Sequence, residues 1–207
     1  MWSPSPPAAA LTSLPDAGPA LVSILRIHVL GSTVLRQATK EIAAVTDDHR
    51  RLIDDMYETM YAAHGIGLAA PQVGRTERIA VVDVDDVAYT IVNPVKVGDE
   101  GSAVKGEEGC LSIPDVYGDV TRPERVKVHA LNRDGNPFEI EAEGLLARCL
   151  QHEIDHLDGR MFIDHLSVLR RRAALAKWAT IKGKYPGYIR TLTADEIAEH
   201  HHRDEEF

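Results

Sequence analysis

The segment 152–156, His-Glu-Ile-Asp-His, contains the residue types of a metal-dependent hydrolase. In an α-helix each residue advances by about 100°, so His152 and His156 lie about 40° apart and one turn along the axis. Two imidazoles placed in this way can bind one divalent cation, and Glu153 is close enough to exchange protons with a water on that cation. A surface helix with two unrelated histidines carries the same pattern, which alone leaves both interpretations open.

The spacing around these histidines favours the metal site. Leu145, Cys149, His152 and His156 follow one another at intervals of four, three and four residues, which is the period of one buried helical face. Buried imidazoles need partners for their ring nitrogens, and a metal ion supplies one. We therefore predict a helix that begins at Gly144 with this face inside, and a third ligand from elsewhere in the chain.

Cys110 is the candidate for that third ligand. It lies in the segment EGCLSIP (108–114), between a glycine and a proline four residues later. The structural alternatives are a small buried residue in a strand, or a disulfide with Cys149. Two cysteines without a recognisable secretory signal are not typical of a disulfide framework. Beside a helix with two histidines, a metal would lower the pKa of the thiol and make Cys110 a ligand.

The composition is that of a soluble globular protein. The chain has 207 residues, of which 44% are apolar and 27% charged, so one domain can bury a sizeable core. Its net charge of −9 argues against broad electrostatic binding to nucleic acid, and no direct role on DNA is expected. No apolar run approaches the ~20 residues that span a bilayer. We expect a cytoplasmic protein with no membrane role.

The domain boundaries are expected at the two ends of the chain. Residues 1–21 are rich in proline, alanine and serine and contain neither lysine nor arginine, so we interpret them as a disordered extension. A single catalytic domain is expected over 22–185 and a C-terminal tail over 186–207.

The apolar patterns predict a mixture of helices and strands. A helix is expected over 47–63, with Thr46 as its N-cap and Gly65 at its end. A basic amphipathic helix is expected over 166–181, either as a solvated surface or as a docking site for a polyanion. The β-branched segments predict strands at 22–30, 77–82, 87–93 and 94–97, and a hairpin of 125–131 with 137–142.

The segment GIGLAAPQVG (65–74) is too rich in glycine and alanine for an ordinary helix or strand. It is either a tight connecting loop or a wall on which a substrate backbone pairs. In the second case the side-chain amide of Gln72 is an available hydrogen-bond donor. The residues alone leave these two interpretations open.

Three segments together resemble the peptide deformylase family: GIGLAAPQVG (65–74), EGCLSIP (108–114) and QHEIDHLDG (151–159). Their order and spacing are also similar to that family, and the resemblance extends from about Ile24 to Leu169. It implies an α+β fold, in which antiparallel β-sheets pack around a central helix carrying the HExxH motif and a further helix follows at the C-terminal end.

The resemblance also implies a role for particular residues. Cys110, His152 and His156 would bind the metal, and Glu153 would be the general base and acid. The residues of the oxyanion hole would be Gln72, through its side-chain amide, and Leu111, through its backbone N–H. The substrate-binding residues would be Gly65, Ile66, Gly67, Leu145 and Arg148, with Ile66 facing the methionine pocket. Cys149 is expected to pack in the core or pocket, and Asp155 to face solvent or a partner behind the metal.

The reaction implied is removal of the N-formyl group from the N-terminal formylmethionine of newly synthesised polypeptides, which releases formate. The cofactor would be one divalent metal ion, with Fe²⁺ as the native ion and Zn²⁺, Ni²⁺ or Co²⁺ able to occupy the site. The partners would be N-formyl-methionyl nascent peptides and the ribosome, the latter through the basic helix at 170–182.

Two other functions are compatible with parts of the sequence. A zinc endopeptidase usually takes its third ligand from downstream of HExxH, whereas Cys110 lies upstream. A catalytically silent module that only holds formylated peptides would not need Glu153, Gln72 and Cys110, and all three are present. The sequence therefore favours the deformylase over both alternatives.

Overall fold

The computed structural model describes residues 23–198, which form an α+β fold. The expected N-terminal extension lies outside these residues, as does the end of the expected tail from residue 199. The main elements in chain order are β1 (Ile27–His28), α1 (Asp47–Ala62), β2 (Gly67–Ala69), β3 (Ile79–Val84), β4 (Val87–Glu108), β5 (Gly118–Leu131), β6 (Pro137–Glu143), α2 (Gly144–Leu157), α3 (Val168–Ile181) and β7 (Ile189–Arg190).

Strands β2 to β6 form one antiparallel sheet in chain order, and β1 pairs with β7 in a separate two-stranded sheet. The predicted hairpin is confirmed, because β5 and β6 pair from Arg125 and Glu143 to Leu131 and Pro137 around the turn at 132–136. β2 lies at one end of the strand order, so within residues 23–198 it is an edge strand. The antiparallel pairing places the chain in the predicted α+β class.

The prediction of two separate strands at 87–93 and 94–97 was wrong, because both belong to the single long strand β4. The register shifts between Val92 and Val95, where Asn93 adopts a left-handed conformation with φ 50°. The side chain of Asn93 accepts a hydrogen bond from Ile42 N at 3.0 Å and donates one to Ile42 O at 2.8 Å. This bulge lets β4 continue past Pro94. Strand β5 was also predicted too short, because it begins at Gly118 and not at residue 125.

Two other strand predictions need smaller corrections. The strand predicted at 22–30 is limited in the described residues to Ile27 and His28, because its partner β7 is itself only two residues long. The strand predicted at 77–82 is observed as β3, displaced by two residues towards the C-terminus.

Helix α1 confirms the prediction for 47–63 to within one residue. Thr46 caps it, since its side chain and that of His49 each bond to the backbone of the other. The left-handed residue that ends it is His64, with φ 57°, and not the expected Gly65. Gly65 instead donates its N–H to Met60 O at 2.8 Å, which closes the last turn.

Helix α2 begins at Gly144, as predicted, and packs on the sheet. Gly144 has φ 62°, a conformation that glycine adopts at little cost and that turns the chain out of β6. The apolar residues on the sheet side of α2 are almost fully buried: Ala147, Leu150, Ile154 and Leu157. Leu145 was expected on the buried face but is 53% exposed, because it lies in the first turn at the mouth of a cavity.

Helix α3 lies within the predicted range of 166–181 and contacts the domain through Ala174 and Trp178, its two buried residues. These pack in a cluster with Phe162 and Leu166. Within residues 23–198, no helix combines the length and the apolar composition that a membrane crossing requires.

Candidate metal centre

The structure brings Cys110, His152 and His156 together. One ligand atom from each residue lies within 4.8 Å of the others. Cys110 Sγ is 3.1 Å from His156 Nε2, and the two imidazole rings lie 4.9 Å apart at 71° to one another. Cys110 sits just after the end of β4 rather than inside a strand, and both it and Cys149 are free thiols. The disulfide alternative is therefore excluded.

Glu108 orients the first of these imidazoles. His152 Nδ1 lies 3.0 Å from Glu108 Oε2, and the ring stacks on Phe162 with the centroids 6.4 Å apart. With Nδ1 donating to this carboxylate, Nε2 carries the lone pair that a metal needs. A carboxylate behind a histidine is the usual arrangement at metal sites, so the contact supports a ligand role for His152.

Two polar atoms at this centre have no partner within the described residues. Glu153 Oε2 and His156 Nδ1 are both buried and make no hydrogen bond there. An unsatisfied buried polar atom costs about 1–3 kcal/mol, and such atoms are expected where a bound group supplies the missing interaction. A thiol and two imidazoles suit a divalent transition metal, so the residues present fit such an ion.

Burial and hydrogen bonding shift the pKa values of three side chains at the centre in different directions. Burial lowers the pKa of His152, but hydrogen bonds to Cys110 and Glu108 outweigh it and raise that pKa to about 10. Burial lowers the pKa of His156 well below its ordinary value, which keeps this ring neutral and able to bind metal. Burial also raises the pKa of the Glu153 carboxyl to about 7, in the range in which a carboxylate exchanges protons at neutral pH.

A buried ion network supports the centre from behind. Arg122 donates to Glu108 from Nε at 2.6 Å and from Nη2 at 2.9 Å, and from Nη1 to Asp155 at 2.7 Å. Asp155 also accepts a hydrogen bond from His165 Nε2 at 2.7 Å. It was expected to face either solvent or a partner behind the metal, and it is buried against such partners. The pKa of Glu108 is held well below its ordinary value because, against burial, Arg122 and His152 stabilise the carboxylate.

Sequence reasoning missed Glu108 and Arg122 as parts of the site. Glu108 is in the EGCLSIP segment, so its position beside Cys110 was an available signal. Arg122 lies in a strand of mixed polarity next to Pro123, and no pattern in the sequence marks it. Only the pairing of β4 with β5 brings it to Glu108.

The side chain of Gln72 points its amide nitrogen towards the cysteine. Nε2 lies 3.6 Å from Cys110 Sγ and 3.2 Å from Ser112 Oγ, while Oε1 accepts a hydrogen bond from Ala69 N at 2.8 Å. The last bond orients the amide. Within residues 23–198, the backbone N–H of Leu111 donates to no acceptor.

The centre opens into a cavity of about 590 Å³. Of the eleven residues predicted from the sequence to form the site, ten line this cavity: Gly65, Ile66, Gly67, Gln72, Cys110, Leu111, Leu145, Arg148, His152 and Glu153. The exception is His156, which is almost fully buried. Gly67 has to be small, since a Cβ there would lie 2.4 Å from Glu153 Oε1. Arg148 lines the cavity with its guanidinium held on Glu108 Oε1 at 2.7 Å.

Comparison with known proteins identifies the family. The family model for polypeptide deformylase matches residues 24–172. The chain belongs to the polypeptide deformylase family. A peptide deformylase of Alkalilimnicola ehrlichii is 52% identical over 155 residues, covering 73% of this chain and 86% of the relative. One from Desulfitobacterium hafniense is 47% identical over 151 residues, covering 73% of this chain and all of the relative.

Solved deformylase structures share the fold. The crystal structure of a peptide deformylase from Legionella pneumophila matches with a TM-score of 0.74 and 46% identity, over 77% of this chain and 96% of that one. The Synechococcus elongatus enzyme in complex with actinonin matches with a TM-score of 0.72 and 43% identity, over 74% and 86%. The predicted family, α+β fold and hydrolase class are confirmed, and the family reaction depends on a metal.

The ion network predicts unequal effects for two arginines that contact Asp155. Arg122→Met leaves Glu108 and Asp155 buried without their shared cation, and we expect the free energy of unfolding to fall by about 3–5 kcal/mol. Metal affinity should fall about 10–100-fold as His152 loses its fixed orientation.

Arg160→Met is the matched control. Arg160 contacts Asp155 Oδ1 at 3.3 Å with 55% of its side chain exposed, so its loss should cost less than about 1 kcal/mol. Urea denaturation and a competitive metal titration measure the two effects, and equal losses in both variants would contradict the role given to Arg122.

Proposed function

We propose that this chain releases formate from N-formyl-methionyl peptides at the Cys110, His152 and His156 centre, with Glu153 as the general base and acid. One observation carries the assignment. Three metal-ligating atoms lie within 4.8 Å of one another at a cavity that Glu153 also lines. Three protein ligands would leave one position of the ion open for water or substrate, as at catalytic rather than structural metal sites.

Cys110, His152 and His156 would hold one divalent ion, which we propose to be Fe²⁺ in the native enzyme. When bound, such an ion supplies Lewis acidity, which polarises the formyl carbonyl and lowers the pKa of a coordinated water. Zn²⁺, Ni²⁺ and Co²⁺ suit the same sulfur and nitrogen donors and are expected to replace it.

Glu153 moves the proton of the reaction. It takes a proton from the attacking water and passes it to the peptide nitrogen as the C–N bond of the formamide breaks. The products are formate and a free α-amine. A base with a pKa near neutrality suits both transfers, and burial places the pKa of Glu153 in that range.

Gln72 and Leu111 are proposed to stabilise the negative charge that develops on the formyl oxygen. The amide nitrogen of Gln72 is held towards the cysteine, and the Leu111 N–H has no other acceptor within the described residues. One donor of this kind is worth about 3 kcal/mol of transition-state stabilisation.

The substrate peptide is proposed to lie along the edge of the sheet at β2. Gly65, Ile66 and Gly67 line the cavity there, and the outer edge of β2 faces no strand within residues 23–198. An extended peptide can pair with such an edge. Ile66 and Leu145, which are 44% and 53% exposed at the cavity, provide an apolar surface for the methionine side chain.

The enzyme is further proposed to work in the cytoplasm, docked on the ribosome through α3. Arg170 and Arg171 pair with Asp119 and Asp164, each at 3.1 Å. Three other basic residues of this region make no ion pair within the described chain: Arg172, Lys177 and Lys182. They leave positive charge available for the phosphates of ribosomal RNA within an otherwise acidic protein.

Replacement of Glu153 separates the deformylase from a silent binding module. We expect Glu153→Gln to lower the kcat of formate release from a formyl-Met peptide by about 10²–10⁴-fold, while metal content stays unchanged. Glu141→Gln, at a side chain 72% exposed on β6, is the matched control and should retain full activity. A Glu153→Gln enzyme as active as the control would refute the proposed proton transfer.

Replacement of the two cysteines tests the metal ligands. Anaerobically purified protein should contain about one Fe²⁺ per chain. Cys110→Ala should lose most of that iron, whereas Cys149→Ala, at the other free thiol, should keep it. Elemental analysis gives the answer, and iron retained by Cys110→Ala would remove the thiolate from the ligand set.

Charge reversal tests the ribosome contact. The double variant Arg172→Glu, Lys177→Glu should lose co-sedimentation with ribosomes, and binding of the unmodified enzyme should weaken as salt increases. Arg50→Glu with Arg51→Glu, on α1, changes the net charge equally and should leave binding intact. Unchanged binding of the α3 variant would exclude this helix as the docking surface.

A further inference from the structure

Residues of the segment 185–196 form one wall of the active-site cavity. Tyr185, Arg190 and Glu196 line the same cavity as Cys110 and Glu153. The family model ends at residue 172, so this wall comes from outside the segment that identifies the family. The wall thus carries none of the three family motifs.

The wall is anchored on β1. Ile27 pairs with Arg190 in the two-stranded sheet, and Val29 N donates to Tyr188 O at 2.9 Å. The ring of Tyr188 lies directly over Gly31, where a Cβ would be 2.2 Å from Cε1. Such close contact requires glycine and fixes the segment on the domain.

Apolar contacts hold the wall at both ends. Tyr185 stacks on Trp178 with the ring centroids 5.7 Å apart. Leu192 is 6% exposed and packs in a cluster with Ile27 and the end of α1 at Ala62 and Ala63. The segment is thus part of the packed domain, and its polar side chains have fixed positions at the cavity.

Arg190 has hydrogen-bonding capacity that the described residues do not use. Its Nη2 donates to Glu196 Oε1 at 2.7 Å, and Glu196 Oε2 accepts from Thr193 N at 2.7 Å, which fixes the carboxylate. Within residues 23–198, Nε and Nη1 of Arg190 donate to no acceptor. The side chain is 17% exposed and lines the cavity, so these donors are available to a group bound there.

We propose that Arg190 is a substrate-binding residue that donates hydrogen bonds to main-chain carbonyl groups of the peptide beyond the formyl-methionine. The inference rests on the proposed function and deepens it. Glu196 neutralises the charge of Arg190, so the guanidinium acts as a directional donor rather than as an attractor of anions. Glu107 and Asp115 also line the cavity and would repel an acidic peptide side chain, which favours neutral carbonyl groups as the ligand.

Substrate length tests this role. With the metal-loaded enzyme, KM for formate release is measured on formyl-Met amide and on formyl-Met-Ala-Ser amide. For Arg190→Gln we expect KM for the longer peptide to rise about tenfold, with kcat and the kinetics on formyl-Met amide unchanged. Arg190→Lys, which keeps a cationic donor, should recover part of the loss, and Arg51→Gln, an exposed arginine on α1, should change neither substrate.

The alternatives give different results. An equal loss on both substrates, or a lowered melting temperature with no selectivity for length, would show that Arg190 only holds β7 in place and would overturn the proposal. Unchanged kinetics on the longer peptide would also overturn it. If Arg190→Gln does not fold, Gly31→Ala replaces it in the test, because the added methyl group displaces Tyr188 and the wall. We expect this variant to raise KM for the longer peptide only, and no such selectivity would overturn the proposal. No formate release from either substrate by the unmodified enzyme would refute the proposed function itself.

Discussion

The buried carboxylate of Glu108 is the contact on which the geometry of this site depends. It accepts hydrogen bonds from Arg122 on β5 and from Arg148 on α2, and it contacts His152 Nδ1. A charge in the interior is stable only when several donors surround it, so these contacts favour the observed placement of the elements. Because Cys110 follows Glu108 by two residues, the same contact sets the position of the cysteine relative to the histidines.

The metal centre is surrounded by charged side chains of both signs. Four acidic side chains lie at or behind it: Cys110, Glu108, Glu153 and Asp155. Two guanidinium groups, those of Arg122 and Arg148, oppose them within the buried network. A divalent cation held by Cys110, His152 and His156 would add positive charge to this network, so metal binding and folding are expected to be coupled.

The cavity combines two parts with different origins in the chain. The segments that define the family provide the metal-ligating atoms, the proposed acid and base, and the edge of β2. The C-terminal wall is attached through the short pair of β1 and β7 and through the close contact of Tyr188 with Gly31. The metal-ligating residues and the proposed peptide contact of Arg190 thus come from separate parts of the chain.

Much of the site could be predicted from the sequence, because local patterns carry its chemistry. The interval between His152 and His156, the N-cap at Thr46 and the turn between β5 and β6 depend on neighbouring residues only, and each was located correctly. The three family segments determined the fold class and the reaction. The length of β4 was missed, since its bulges interrupt the alternation on which strand prediction depends.

Tertiary structure alone decided the contacts that join distant segments. The pairing of β4 with β5 places Arg122 on Glu108, and the pairing of β1 with β7 places Arg190 at the cavity. Leu145 has the spacing of a buried residue but is exposed, because it lies in the first turn of α2 at the mouth of the cavity. A residue's spacing describes its own element, whereas burial and ion pairing depend on which other element lies opposite, and that is settled only when the chain packs.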